Sequence, residues 1–280
     1  YRFLTLGFPD KIERIRTLPF EKVKPISQYG VHYIDLREEG TLTVSFAGDS
    51  FVDLLPLPPA HDRFWFAPSG SDLAAMLTRR IDLTAVKAAT LVFTAYFELE
   101  PDYDFAYVSV SMDDGHSWES VLSDDSFSAG MYGVGMTGFS SDYEGNDNGW
   151  VTETIGLDDY VGKEILLRFE VLSDGAFSER GFALAEIAIP EIGLASTSAD
   201  TSWSLDGFVE MGATIPQQWS VQLVQGNAVT ALELDEVNRG RWVVTIEDSA
   251  EPTTLIIMPQ TPYSNKAAYY WLHVTADDSP

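Results

Sequence analysis

Runs in which apolar and polar residues alternate one by one recur along this chain, and they constrain its fold more than any other feature. In residues 165–171, Ile165, Leu167, Phe169 and Val171 fall on one side of an extended backbone, and Arg168 and Glu170 on the other. The same period of two groups Leu42 with Val44 and Phe46, Leu91 with Phe93, Ala95 and Phe97, and Val108 with Val110. Successive side chains of a strand point to opposite faces of its sheet, so this pattern marks half-buried antiparallel strands. Further strands are expected at 219–223, 242–246, 255–258 and 269–274. Turn chemistry separates the runs: Asp113-Asp114-Gly115, Glu144-Gly145-Asn146, Ser173-Asp174-Gly175, Gln225-Gly226-Asn227 and Arg239-Gly240. Helical pattern is scarce. Residues 11–18, behind Pro9-Asp10 and with Ile12 and Ile15 on one face, read as a short helix. Many short strands at regular spacing predict an all-β chain, a jelly-roll/β-sandwich domain plus a second, smaller β-sandwich domain.

Two breaks suggest the division. Pro56-Leu57-Pro58-Pro59 interrupts the chain, and residues 190–200 are poor in large apolar side chains and read as a linker. The jelly roll is therefore expected over 51–190 and the second sandwich over 200–276. The latter is short for a sandwich, so the strands of residues 1–50 are expected to pair with it. Residues 123–148, rich in Ser, Gly and Asp, read as a long loop.

Composition limits the partners. The net charge is −26, from 43 acidic and 17 basic residues. Phosphate backbones and anionic membranes need a basic surface, so neither nucleic acid nor membrane insertion is expected. No apolar run approaches the roughly 18 residues of a membrane-spanning helix. There is no cysteine, which removes disulfides and thiolate metal sites. The chain opens at Tyr1, without Met or a signal-like segment, as a piece of a longer polypeptide does.

Catalytic motifs are missing. The histidines are His32, His61, His116 and His273, none spaced as in HExxH, so no zinc is expected in this chain. There is no G-x-S-x-G elbow, P-loop or complete G-x-G-x-x-G. Carboxylates are too plentiful for any pair to single itself out as a glycosidase site. Residues 111–118, SMDDGHSW, follow the pattern S-x-D-x-G-x-[ST]-W through Ser111, Asp113, Gly115, Ser117 and Trp118. This resembles the Asp-box of sialidase propellers. Those folds carry several copies and this chain one, so it reads as a structural hairpin with Trp118 packed beneath, and His116 as an exposed hairpin residue.

Several stretches together resemble a known family: FWFAPSGSD (64–72), LTRRIDLTAVKAATLVF (77–93), FELEPDYDFAYVSVSMDDGHSW (97–118), GWVTETIGLDDYVGKEILLRFEVLSDG (149–175) and GFALAEIAI (181–189). They look like the accessory, MAM-like jelly-roll region of immune inhibitor A-type secreted metallopeptidases. The tail, through DGFVEM (206–211), PQQWSVQLV (216–224) and TPYSNKAAYYWLHV (261–274), resembles the β-rich segment that follows in such proteins. The resemblance implies a bacterial, secreted or cell-surface protein whose partner is a parent catalytic domain outside this chain. It also implies a structural calcium ion, with matching positions at Asp72, Glu100, Asp104 and Glu186. Ala185 stands where the family carries a further carboxylate. The alternative for these acids is that they cap turns and face water.

These readings predict a non-catalytic accessory region that stabilises its parent or targets it to extracellular protein or glycan surfaces. The alternatives are a carbohydrate-binding module and a structural adhesion segment. For sugar stacking, Tyr132, Phe139 and Tyr143 are the candidate ligand-contact aromatics, because they sit in the long acidic loop. Trp118 and Trp150 abut strands and are expected to pack inward.

Overall fold

The computed structural model describes residues 12–121, 128–130, 133–143, 145–247 and 252–276. Among them there are strands and three short 3-10 turns but no α-helix. The chain forms two compact units, one of Leu55–Ala213 and one of Tyr1–Leu54 with Thr214–Pro280.

In the unit Leu55–Ala213, one sheet runs Glu119–Ser120, Phe105–Ser111, Glu164–Leu172, Ala74–Asp82, Ser204–Asp206, all antiparallel. A second runs Val151–Gly156, Thr90–Glu98, Gly181–Ile189, Arg63–Pro68, Val209–Gly212, with Leu194–Thr197 beside Gly181–Ile189. The alternating residues of both sheets meet in one core. Leu77, Val108, Leu167 and Phe169 come from the first, and Leu91, Phe93, Leu184 and Ile187 from the second. Phe93 meets Phe169 edge-on, 5.1 Å between ring centroids, in the arrangement that aromatic quadrupoles favour. Strand Phe105–Ser111 is buried on both faces, which its alternation does not announce. The segment around Met136 pairs along its edge, where Ala106 and Met136 exchange backbone hydrogen bonds of 2.8 and 2.9 Å, and Gly135 lies close against the Tyr107 ring.

Residues 190–200 are not a linker. They form a turn at Pro190–Ile192 and a strand at Leu194–Thr197, and the next two strands extend both sheets. The segment is short of apolar residues because it lies at sheet edges, where only part of a strand is covered. Its anchors are polar or lie just beyond it. Ser196 is fully buried, and Arg79 binds both Ser196 (2.9 Å) and Asp200. Trp203 and Phe208 then enter the core.

Gly181 opens its strand at φ +113°, and a Cβ there would stand 2.4 Å from the Ala67 carbonyl oxygen. Gly181→Ala is expected to destabilise this unit by about 1–3 kcal/mol from backbone strain alone, read as a lower urea midpoint with an unchanged slope.

The other unit joins strands from both ends of the chain. His32–Leu36 lies between Ile12–Ile15 and Thr253–Pro259, in a sheet that continues to Trp219–Gln225 and Ala228–Ala231. Gly40–Gly48 lies between Ala268–Ala276, which also pairs with Phe20–Ile26, and Arg239–Ile246. Its core includes Ile34, Val44, Phe46, Leu255, Ile257, Tyr270 and Leu272. The helix expected at 11–18 is a strand over Ile12–Ile15, paired in parallel with His32–Leu36. A weak local helical pattern loses to tertiary pairing that buries Ile15.

Candidate metal centre

Three carboxylates converge at one end of the Leu55–Ala213 unit. The chain leaves strand Thr90–Glu98 through Leu99 and turns tightly before Phe105–Ser111. The Glu100 carbonyl accepts hydrogen bonds from the backbone N–H of Tyr103 (3.2 Å) and Asp104 (3.0 Å), and from the Thr137 hydroxyl (3.2 Å). Asp102 takes the left-handed conformation at φ 68° that closes the turn. This brings Glu100 and Asp104 together. The third acid, Asp174, comes from the Ser173-Asp174-Gly175 turn after Glu164–Leu172. Its N–H donates to Asp104 Oδ1 (3.1 Å), and its carbonyl accepts from the Asp72 N–H (2.7 Å). Glu100, Asp104 and Asp174 each offer an oxygen, and these atoms lie within 4.8 Å of one another.

The electrostatics are unfavourable for three bare anions. Asp104 is only 2% exposed. Glu100 Oε2 is buried with no hydrogen-bond partner, although an acceptor in that position ordinarily finds one. Burial pushes the Glu100 carboxyl above its usual range, and Asp174, Asp104 and Glu179 push it the same way. Burial also raises Asp104, opposed by backbone N–H donors and reinforced by Asp174. A hard cation would answer both the crowded charge and the orphaned oxygen, and the donors are all oxygen, the chemistry calcium prefers.

Of the four acids expected to bind calcium, the structure brings Glu100 and Asp104 together. Asp72 holds the neighbouring loop by its backbone at φ 54°, and its carboxylate lies against Gly175, outside the three-acid group. Glu186 is not there. It sits beside a bulge in strand Gly181–Ile189, opposite Thr94, four residues before Glu98, and its Oε2 is 3.4 Å from His61 Nε2. Asp174 was legible as a turn residue, but no local pattern brings it to Asp104, 70 residues earlier.

The aromatic candidates are also redistributed. Tyr132 lies outside the described residues. Tyr143 is not a free platform, because it is half-buried edge-on against Phe97, 5.3 Å between centroids. Phe139 is half-buried, in a bridge with Glu98. Trp150 is 1% exposed and donates to the Pro56 carbonyl (3.0 Å).

The Asp113 turn is a hydrogen-bonded hairpin. The Asp113 carboxylate accepts from Ser111 Oγ (2.8 Å), Ser117 N (2.8 Å) and Ser117 Oγ (2.6 Å), which lower its pKa to about 2. Trp118 donates to the Gly115 carbonyl (3.1 Å) and is capped by the Arg168 guanidinium, 3.7 Å from its ring centroid. His116 is exposed.

The sequence profile described as "Immune inhibitor A-like, MAM domain" matches residues 56–213, which coincide with this unit. Among curated proteins, the pre-pro-metalloprotease PrtV of Vibrio cholerae, in two strains, is 26% identical over 161 residues. That match covers 56% of this chain and 17% of the relative. Immune inhibitor A of Bacillus thuringiensis subsp. alesti is 26% identical over 210 residues, 71% of this chain and 29% of the relative. The chain thus spans less than a third of each of these relatives.

Proposed function

This chain belongs to the Immune inhibitor A-like MAM domain family, and from that premise we propose that it is a non-catalytic accessory region of a secreted bacterial peptidase-type protein. Its role is to stabilise the parent or carry it to extracellular protein or glycan surfaces. The single observation that carries this reading is the family match over the whole of Leu55–Ala213, a unit with no zinc-binding HExxH sequence. The name of one relative, a pre-pro-metalloprotease, supplies the peptidase context. The high negative charge suits an extracellular setting.

On this reading Leu55–Ala213 is a MAM-like jelly roll and the other unit a second, smaller β-sandwich. Two antiparallel sheets contributing to one core support the first assignment. The cofactor is a structural calcium ion held by Glu100, Asp104 and Asp174, with backbone carbonyls and water completing its six to eight oxygens. The ion ties the loop that leaves strand Thr90–Glu98 to the loop that follows Glu164–Leu172.

Incubated with casein and a quenched peptide library, this chain is expected to give no cleavage above buffer. Chelator-sensitive cleavage that copurifies with the chain would sink the non-catalytic reading.

A further inference from the structure

In the unit of Tyr1–Leu54 and Thr214–Pro280, a groove of about 460 Å³ lies beside the start of strand Trp219–Gln225. This is within the range of about 300–1,000 Å³ typical of small-molecule sites. Val221, Leu232 and Leu234 supply apolar lining, while Gln218, Glu233 and Gln260 supply polar groups. Among the described residues, no lysine, arginine or histidine lines it.

The groove wall is built rigidly. Asn238, at φ 59°, donates its side-chain amide to the carbonyls of Asp49 (2.9 Å) and Gln217 (2.8 Å). Trp219 Nε1 donates to the same Asp49 carbonyl (3.0 Å). Asp235 Oδ1 accepts from the N–H groups of Val237 (3.0 Å) and Arg239 (2.8 Å). Gln218 and Gln260 are fixed by their backbones, Gln260 N to Gln218 O (2.9 Å) and Gln218 N to Thr261 Oγ1 (2.8 Å). The side chains of Gln218, Glu233 and Gln260 have no hydrogen-bond or ion-pair partner among the described residues. The backbones that carry these three side chains are held in place, so a ligand has only the side chains themselves to order.

We infer that this groove binds an uncharged oligosaccharide. A sugar offers apolar C–H faces to Leu232 and Leu234, which are only partly buried, and hydroxyls that both donate and accept. Glutamine amides do both as well, and Glu233 accepts. An anionic ligand would meet no cation and one or more carboxylates, on a chain of net charge −26. A peptide added as a strand is the competing occupant, because Ala228–Ala231, whose Ala231 lines the groove, is the end strand of its sheet, and the uncharged hexapeptide in the test separates the two. The inference deepens the accessory reading by naming its target class, and it moves the contact away from Phe139 and Tyr143.

The test is titration calorimetry of this chain with cellohexaose, chitohexaose and mannohexaose, and with an oligogalacturonate and an uncharged hexapeptide as contrasts. Each is run in EDTA and again in calcium. At least one neutral oligosaccharide is expected to bind in both conditions, and neither contrast is. Gln218→Ala, Gln260→Ala and Glu233→Gln are each expected to weaken binding at least tenfold with an unchanged melting temperature. No neutral saccharide binding at millimolar concentration, binding that all three variants retain, or preference for the peptide or the uronate would each overturn the inference. The accessory reading is judged separately, by the protease assay.

Discussion

Metal-stripped protein given calcium at a hundredfold excess over Kd is expected to gain about 2.7 kcal/mol of stability, because the ion binds the folded state alone. For a domain of this size that is a rise of roughly 5–11 °C in melting temperature. Magnesium should not reproduce it, since it demands a smaller octahedral shell and dehydrates reluctantly. Asp104→Asn and Asp174→Asn should each remove most of the response. Glu100→Gln should remove it too, yet leave the metal-free protein at least as stable as the parent. The substitution deletes a charge repelled by Asp104 and Asp174, and it replaces an orphaned carboxylate with an amide. If calcium shifts the melt and all three variants respond alike, the ion sits elsewhere.

The same site gives a pH dependence whose sign is fixed by the raised carboxyls. Glu100 and Asp104 hold their protons more tightly in the folded state than in the unfolded one. Their contribution in metal-free protein is therefore fully present below the unfolded pKa and is lost as the pH climbs through the raised folded values. Many other carboxylates titrate in the same window, so the contribution is read as the difference between the parent and the doubly substituted Glu100→Gln, Asp104→Asn protein. With calcium the order reverses, because protons and the ion compete for the same oxygens and acidification weakens binding.

The second large effect is expected at Trp203. It is 3% exposed, packs against Trp65 (5.9 Å) and Phe169 (6.2 Å), and has Arg79 over its ring at 5.8 Å. Replacing it with alanine removes a large aromatic from a closed core, at a cost of about 3–5 kcal/mol. The ring also pins the segment that extends both sheets after residue 190. Asp200, although burial raises its carboxyl, is held well below the usual range by hydrogen bonds from Ser196, Ser202 and Arg79. Urea unfolding followed by circular dichroism should show a markedly lower midpoint for Trp203→Ala. Trp203→Phe should fall between Trp203→Ala and the parent, because phenylalanine keeps a ring in the core but leaves part of the indole volume unfilled, while the indole Nε1 has no hydrogen-bond partner to lose. A midpoint for Trp203→Ala equal to the parent's would mean that the segment after residue 190 does not help hold this unit together.

Particular residues show how far the sequence reaches. Ile165, Leu167, Phe169 and Val171 all face the core, as their alternation requires, and Leu42, Val44 and Phe46 do the same in the other unit. The Asp113 turn was readable because Ser111, Asp113, Gly115, Ser117 and Trp118 make their bonds within one octet. Glu100 and Asp104 entered through the family resemblance, and one tight turn brings them together. Glu186 was misplaced because a position in a strand says nothing about which end of the sheet it approaches. Tyr143 was misplaced because a polar loop can still direct one ring onto Phe97.

What the sequence determined by itself is local: strand periodicity, the inward face of each strand, and turns closed by neighbours a few residues apart. What only the tertiary structure decided is partnership. A period of two fixes which face is buried but not which strand lies alongside, so nothing in residues 190–200 announced that they begin an extension of the sheets. Likewise Asp174 meets Asp104 across 70 residues only because two strands end at the same edge of one core. The cost of closing so long a loop is met by burial along the whole of both strands and not by the acids themselves, whose mutual repulsion opposes the meeting.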